Sequence, residues 1–126
     1  MSWQAYVDDS LIGTGKVNKA AIIGLAGGVW ASSPGYTLSA QEQSAIVQAF
    51  HDSGAATASG VRLAGQKFFV LQANDRSIYG KKQADGCVLV KTKQAVLVTE
   101  YTAPTQQVES TVIVEKLADY LIGVGY

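Results

Sequence analysis

Residues 61–101 read VRLAGQKFFVLQANDRSIYGKKQADGCVLVKTKQAVLVTEY. Four or five strands follow one another in this stretch, near 61–65, 67–73, 76–82, 86–91 and 94–101. Their separators are turn material: Gly65-Gln66, Asn74-Asp75, Asp85-Gly86 and Thr92-Lys93. A parallel pair needs a crossover of a dozen residues or more, so connections this short force antiparallel neighbours. The stretch therefore predicts an antiparallel meander.

Upstream of the meander, Lys19–Gly24 reads as a further strand, and Gly27-Gly28 as a hairpin turn returning through Val29-Trp30-Ala31. Ser39-Ala40-Gln41-Glu42 is a capping box, with Ile46, Val47 and Phe50 following at helical spacing. Residues 52–60 are small and polar and read as a loop. Residues 2–9 read as a short helix that Ser2 can cap. A closing helix is expected over about 105–122, where Ile113, Val114, Leu117, Ala118 and Leu121 fall on one arc with Tyr120 at its edge. The opposite arc holds Glu109, Thr111, Glu115, Lys116 and Asp119 together with Val108 and Val112. That valine pair is either a partner contact or two singly exposed apolar residues. Helices at both ends must pack on the sheet, so the fold class is α+β, an antiparallel sheet covered by helices.

The chain has 126 residues and a mass of 13.3 kDa, which predicts one domain spanning 1–126. At 48% apolar residues it supports a folded core. One cysteine, Cys87, and one histidine, His51, exclude an internal disulfide and a thiolate or histidine metal cage. No apolar stretch reaches membrane-spanning length, and Met1 to Tyr6 show no secretory pattern, so a soluble protein of a reducing compartment is expected. The formal net charge is zero, which gives no support for bulk attraction to nucleic acid. The zero is unevenly spread. Residues 62–93 hold seven basic side chains against two acidic ones, and the remainder holds three against eight. An acidic partner for the middle of the chain would explain this, as would solubilising lysines at strand ends.

No constellation resembles an active site. Gly13-Thr14-Gly15-Lys16 lacks the upstream glycine and the following Ser or Thr of a phosphate loop, having Ser10 and Val17 in those places. Cys87 sits inside the strand pattern Gly86-Cys87-Val88-Leu89-Val90, a place for a small buried residue rather than a nucleophile. His51 closes a helix, where a cation complements the dipole. No enzymatic activity, cofactor or metal is expected.

Aromatic residues gather at the two ends. Trp3, Tyr6, Tyr120 and Tyr126 are four of the eight Trp and Tyr residues. Trp3 and Tyr6 are three apart and share a helix face, and Trp30 can reach them from an early strand. Such rings either staple the first helix to the core or form a platform. A platform of apolar bodies with polar tips suits a polyproline II segment, whose carbonyls are free acceptors and whose stiffness lowers the cost of ordering.

Ser2-Trp3-Gln4-Ala5-Tyr6-Val7-Asp8 resembles the N-terminal signature of the profilins. The resemblance continues through Gly13-Thr14-Gly15, Val29-Trp30-Ala31, Ala64-Gly65-Gln66-Lys67-Phe68 and Asp75-Arg76-Ser77-Ile78-Tyr79-Gly80-Lys81. It ends with Leu117 to Tyr126, covers essentially the whole chain and is closest in style to fungal members. It implies a central antiparallel sheet with the N- and C-terminal helices on one face and a further helix on the other. It also implies a cytoplasmic protein of the actin cytoskeleton and cell cortex. Such a protein binds monomeric actin, proline-rich proteins such as formins, and phosphoinositides at the membrane surface. By position, Trp3, Tyr6, Trp30, Tyr120, Leu121 and Tyr126 would line the proline-rich groove. Lys67, Val70, Gln72, Arg76, Lys81, Val108, Thr111, Val112 and Glu115 would fall on or near the actin face, with Arg76, Lys81 and Lys82 contacting phosphoinositides. Val108 stands where the family usually has glycine, Val112 where it often has a basic residue, and Gln72 where arginine is frequent. These departures keep open a second reading, a proline-rich and phosphoinositide-binding module with weakened actin binding.

Overall fold

The computed structural model describes residues 2–126. Its strands are β1 (Lys19–Gly24), β2 (Val29–Ser32), β3 (Val61–Leu63), β4 (Gln66–Ala73), β5 (Ser77–Lys82), β6 (Asp85–Lys91) and β7 (Ala95–Tyr101). They form one antiparallel sheet in the order β2-β1-β7-β6-β5-β4-β3. Strands β3 to β7 are sequential neighbours, as their short turns require. The non-local pairing is β1 with β7, in unbroken register from Lys19↔Glu100 to Gly24↔Ala95.

The helices cover both faces. Helix α1 (Trp3–Ala5) is capped by Ser2, whose Oγ accepts from the Ala5 N–H at 3.1 Å. It runs directly into a π-helical stretch (Tyr6–Leu11) and a 3-10 turn (Ile12–Thr14), so the first helical segment is longer than residues 2–9. Val7 and Leu11, both fully buried, hold this extension on the sheet. Helix α2 (Ala40–His51) carries the expected capping box, with Ser39 Oγ accepting from the Glu42 N–H and Glu42 Oε1 from the Ser39 N–H. Helix α4 (Gln107–Gly123) buries Ser110, Val114, Leu117, Ala118 and Leu121. Its core face is therefore centred slightly away from Ile113, which is only partly buried.

One expectation is corrected. Residues 52–60 are not a loop: Ser53–Ser59 forms helix α3. Asp52 caps it by accepting from the Ala55 N–H, Ala56 is buried against the core, and Gly60 ends it at a φ of 77°. Small residues conceal a helix when its cap is the neighbour's carboxylate, and alanine is the best helix former.

The core has two layers. On one face Ile46, Phe50 and Ala56 pack on Phe68, Val70, Ile78, Cys87, Leu89 and Val98. On the other, Tyr6, Val7, Leu11, Val114, Leu117 and Leu121 pack on Ile22, Val88, Val90 and Leu97. Alternate residues of β6 serve opposite layers, so the run 87–90 is apolar without interruption.

Glu100 is a polar intrusion in the first layer. It is buried opposite Cys87, and among the described residues neither its Oε2 nor the nearby Tyr36 hydroxyl has a hydrogen-bond partner. Burial holds the Glu100 carboxyl above the usual carboxylate range, opposed by the charges of Lys19 and Lys82. A carboxyl raised in the folded state binds more protons there than in the unfolded chain, so stability falls as pH climbs from the usual carboxylate range through the folded value. Glu100→Gln is expected to raise the denaturant midpoint near neutral pH. That gain should vanish under acid conditions where both states are protonated, as urea unfolding across pH will check.

Candidate functional site

The terminal segments and β2 bring five rings together. The first helix supplies Trp3 and Tyr6, β2 supplies Trp30, α4 supplies Tyr120, and the segment after α4 supplies Tyr126. Trp3 lies at the centre, with ring centroids 4.8 Å from Trp30, 5.0 Å from Tyr126 and 5.6 Å from Tyr6. Tyr120 extends the row from Tyr6 at 6.3 Å. These tilted and edge-on spacings are those favoured between aromatic quadrupoles. Tyr120 is 54% exposed and Tyr126 43%, while Trp3 and Trp30 are half-buried. Tyr6 is mostly buried, and burial together with the adjacent Tyr120 raises its pKa.

Polar tethers set the rings. Gln4 Nε2 donates to the Ser32 carbonyl at 2.9 Å, tying α1 to the end of β2. Gly24 leaves room for the Trp30 indole, since a Cβ there would stand 2.7 Å from its Nε1. The Tyr126 carbonyl accepts from the Gln94 N–H at 2.6 Å and from Thr92 Oγ1 at 2.8 Å. Next to the rings lies a groove of about 380 Å³ lined by Tyr6, Ser10, Ile113, Lys116, Leu117 and Tyr120. Leu121 departs from the expected lining set: at 0% exposure it is core beneath Tyr6 and presents no surface.

The second surface lies on the same side of the sheet, beyond α4. That helix packs on β6 and β7, and its far flank reaches β5 through side chains. Strands β4 and β3 remain uncovered there. Register places Arg62 beside Lys67 and Phe69 beside Lys81, all on this open face. Phe69 is 69% exposed and Leu71 58%, and Lys67 Nζ lies 5.8 Å from the Phe69 ring centre. A bulge between Val70 and Gln72 sets Gln72 opposite Tyr79. Val108 and Val112 stand exposed on α4, and Thr111 is half-buried beside them.

Three expected contacts, Val70, Arg76 and Lys82, are relocated. Val70 is buried in the layer under α2 and α3, so it belongs to the opposite face. The residues missed are Arg62, Phe69 and Leu71; the alternation that buries Phe68 and Val70 is the signal that exposes the last two. Arg76, Lys81 and Lys82 do not form one basic cluster. Consecutive Lys81 and Lys82 point to opposite faces of β5, and Arg76 is held by α4. Its Nε donates to Glu115 Oε1 at 3.1 Å and its Nη2 to Asp119 Oδ1 at 2.7 Å. Glu115 Oε2 also accepts from Ser77 Oγ at 2.6 Å and Tyr79 Oη at 2.5 Å. Arg76 and Glu115 thus form a strut between β5 and α4. The Asp119 bond, foremost, raises the Arg76 pKa, and burial with the Glu115 bond raises that of Tyr79.

A family model described as Profilin matches residues 1–126. The chain belongs to the profilin family. Profilin of Saccharomyces cerevisiae is 53% identical to it over 127 residues, covering 100% of both chains. The solved structure of Schizosaccharomyces pombe profilin superposes with a TM-score of 0.96 at 50% identity, covering 99% of this chain and 100% of that one. Mouse profilin IIa, solved in complex with a double repeat from the FH1 domain of mDia1, shares the profilin fold at 22% identity, with a TM-score of 0.84 and 100% of both chains covered.

The strut has a measurable role in holding α4. Glu115→Gln leaves Asp119 as the remaining charged acceptor of Arg76 and weakens the bonds from Ser77 and Tyr79, and it is expected to cost about 1–3 kcal/mol, read by urea unfolding. Tyr79→Phe, which removes one of the donors, should cost about 1 kcal/mol.

Proposed function

We propose that this profilin is a non-enzymatic adaptor with two binding surfaces on one sheet. The first takes a proline-rich segment in the polyproline II conformation. The observation that carries the reading is the row of rings around Trp3, assembled from three separate parts of the chain. Indole N–H and phenol O–H groups there match the free carbonyls of a helix that has no internal hydrogen bonds. The mouse relative's complex with an FH1 double repeat supports formins as the partner class.

The second surface takes an actin monomer. Phe69, Leu71, Val108 and Val112 supply apolar area, and Arg62, Lys67 and Lys81 form a basic rim. Apolar anchors within a charged margin are the usual anatomy of a protein interface. Because the two surfaces do not overlap, a tethered proline-rich partner raises the local concentration of the actin it recruits. Polymerisation is regulated in this way, by withholding monomers and delivering them where proline-rich tracts are anchored. The adaptor works in the cytoplasm, at the cortical actin network. Phosphoinositide head groups bind the open-face cations Lys67 and Lys81 rather than Arg76, whose guanidinium is already bonded.

Trp3→Ala removes the ring shared by three contacts. Loss of a central aromatic anchor costs about 2–4 kcal/mol, enough to abolish retention on immobilised poly-L-proline while circular dichroism shows the fold intact. Unchanged retention would defeat the platform. Lys67→Glu with Lys81→Glu should weaken binding to monomeric actin and reduce its salt dependence, leaving poly-L-proline affinity as it was. A wild-type titration with actin that shows no saturable binding would favour the second reading, a proline-rich module without useful actin affinity.

A further inference from the structure

We propose that Thr92 and Gln94, in the turn between β6 and β7, are positioning residues of the ring platform. They hold Tyr126 against Trp3 from more than thirty residues away in the sequence. The inference rests on the platform being a polyproline II site, and the experiment below separates the two.

Apart from main-chain bonds back to the end of α4, Tyr126 has little burial to hold it. Its ring is 43% exposed and Val124 50%, so the segment after α4 gains little from burial. Gly125 turns the chain at a φ of 99°, and the Tyr126 N–H returns to the Leu121 carbonyl at 2.8 Å. The Val124 and Gly125 N–H groups also return to carbonyls of α4, and the carbonyl ends of residues 125 and 126 are pinned by the turn. The Gln94 N–H and Thr92 Oγ1 both donate to the Tyr126 carbonyl, and Gln94 Nε2 donates to the Gly125 carbonyl at 3.0 Å. Thr92 is buried, so its end of the bond lies in the protein interior, where hydrogen bonds are electrostatically stronger than in water. The turn closes without Tyr126, because the Thr92 N–H already donates to the Ala95 carbonyl at 2.8 Å. The bonds to residues 125 and 126 are therefore additional to the turn and aim one exposed ring edge-on at Trp3.

A stiff ligand loses little freedom on binding, so the ordering cost falls on the protein's own rings. A ring released from its tether must be immobilised by each ligand, and affinity drops by the fraction of time it is misplaced.

The test is titration of poly-L-proline against the full chain, followed by indole fluorescence. Thr92→Val and Gln94→Ala should each weaken binding by about two- to tenfold, and Thr92→Ser, which keeps the hydroxyl, should restore it. Near-ultraviolet circular dichroism should lose the same Trp3–Tyr126 signal in Thr92→Val as in Tyr126→Ala. In the Tyr126→Ala background, Thr92→Val should have no further effect on binding. An equal further loss in that background would overturn the proposal, because Thr92 would then act by loosening the fold. Unchanged affinity in Thr92→Val, with the wild type binding normally, would also overturn it. Failure of the wild type to bind poly-L-proline would instead remove the platform reading, and the proposal with it.

Discussion

The pairing of β1 with β7 is the contact on which the rest of the molecule depends. It is the long-range ladder that brings the first quarter of the chain beside the meander, in register from Lys19↔Glu100 to Gly24↔Ala95. Strand β2 then hangs on β1 and carries Trp30, while the first helix packs over the same strands and carries Trp3 and Tyr6. Helix α4 leaves β7 and returns across β6 and β7, carrying Tyr120 to the same place. The rings meet because one ladder closes the ends of the chain over a common sheet face. Ring contacts of about 0.5–1.5 kcal/mol each could not by themselves offset the entropy of closing so long a loop.

Helix α4 links the two candidate surfaces. One flank offers Tyr120 and the groove beside Tyr6. The other is bonded through Glu115 and Asp119 to Arg76, Ser77 and Tyr79 of the turn before β5 and of β5 itself. Glu115 accepts from three side chains, so the helix has little freedom to roll on the sheet. The two surfaces are in this way held at a constant spacing, which a bridging adaptor requires.

Much of this was legible before any coordinates. Turn residues between short apolar runs gave the meander, since a two-residue connection admits only antiparallel strands. The capping box at Ser39 and Glu42 marked the start of α2, and the spacing of Trp3 and Tyr6 marked a shared face. What escaped the sequence had physical reasons. Helix α3 is made of Ser, Gly, Ala and Thr, whose mean polarity reads as loop, and its cap is a single side chain, Asp52. The family resemblance puts Val70 on the surface, yet strand alternation from buried Phe68 places it inside and leaves Phe69 and Leu71 outside. The commitment of Arg76 to Glu115 and Asp119 joins residues about forty positions apart, beyond the reach of any local pattern. The clamp on Tyr126 is equally non-local, and one of its three donors and both of its acceptors are main-chain atoms.

The margins of the sheet carry a consequence of their own. The outermost strands, β2 and β3, are its shortest, at four and three residues. At the β2 margin the Ser32 carbonyl is already taken by Gln4, and at the β3 margin Arg62 puts a charge in the middle of the strand. A free sheet edge can recruit further copies through its unpaired amides and carbonyls, and brevity with charge is how such recruitment is blunted. A protein with hydrophobic side chains open on one face is thereby guarded against stacking edge to edge.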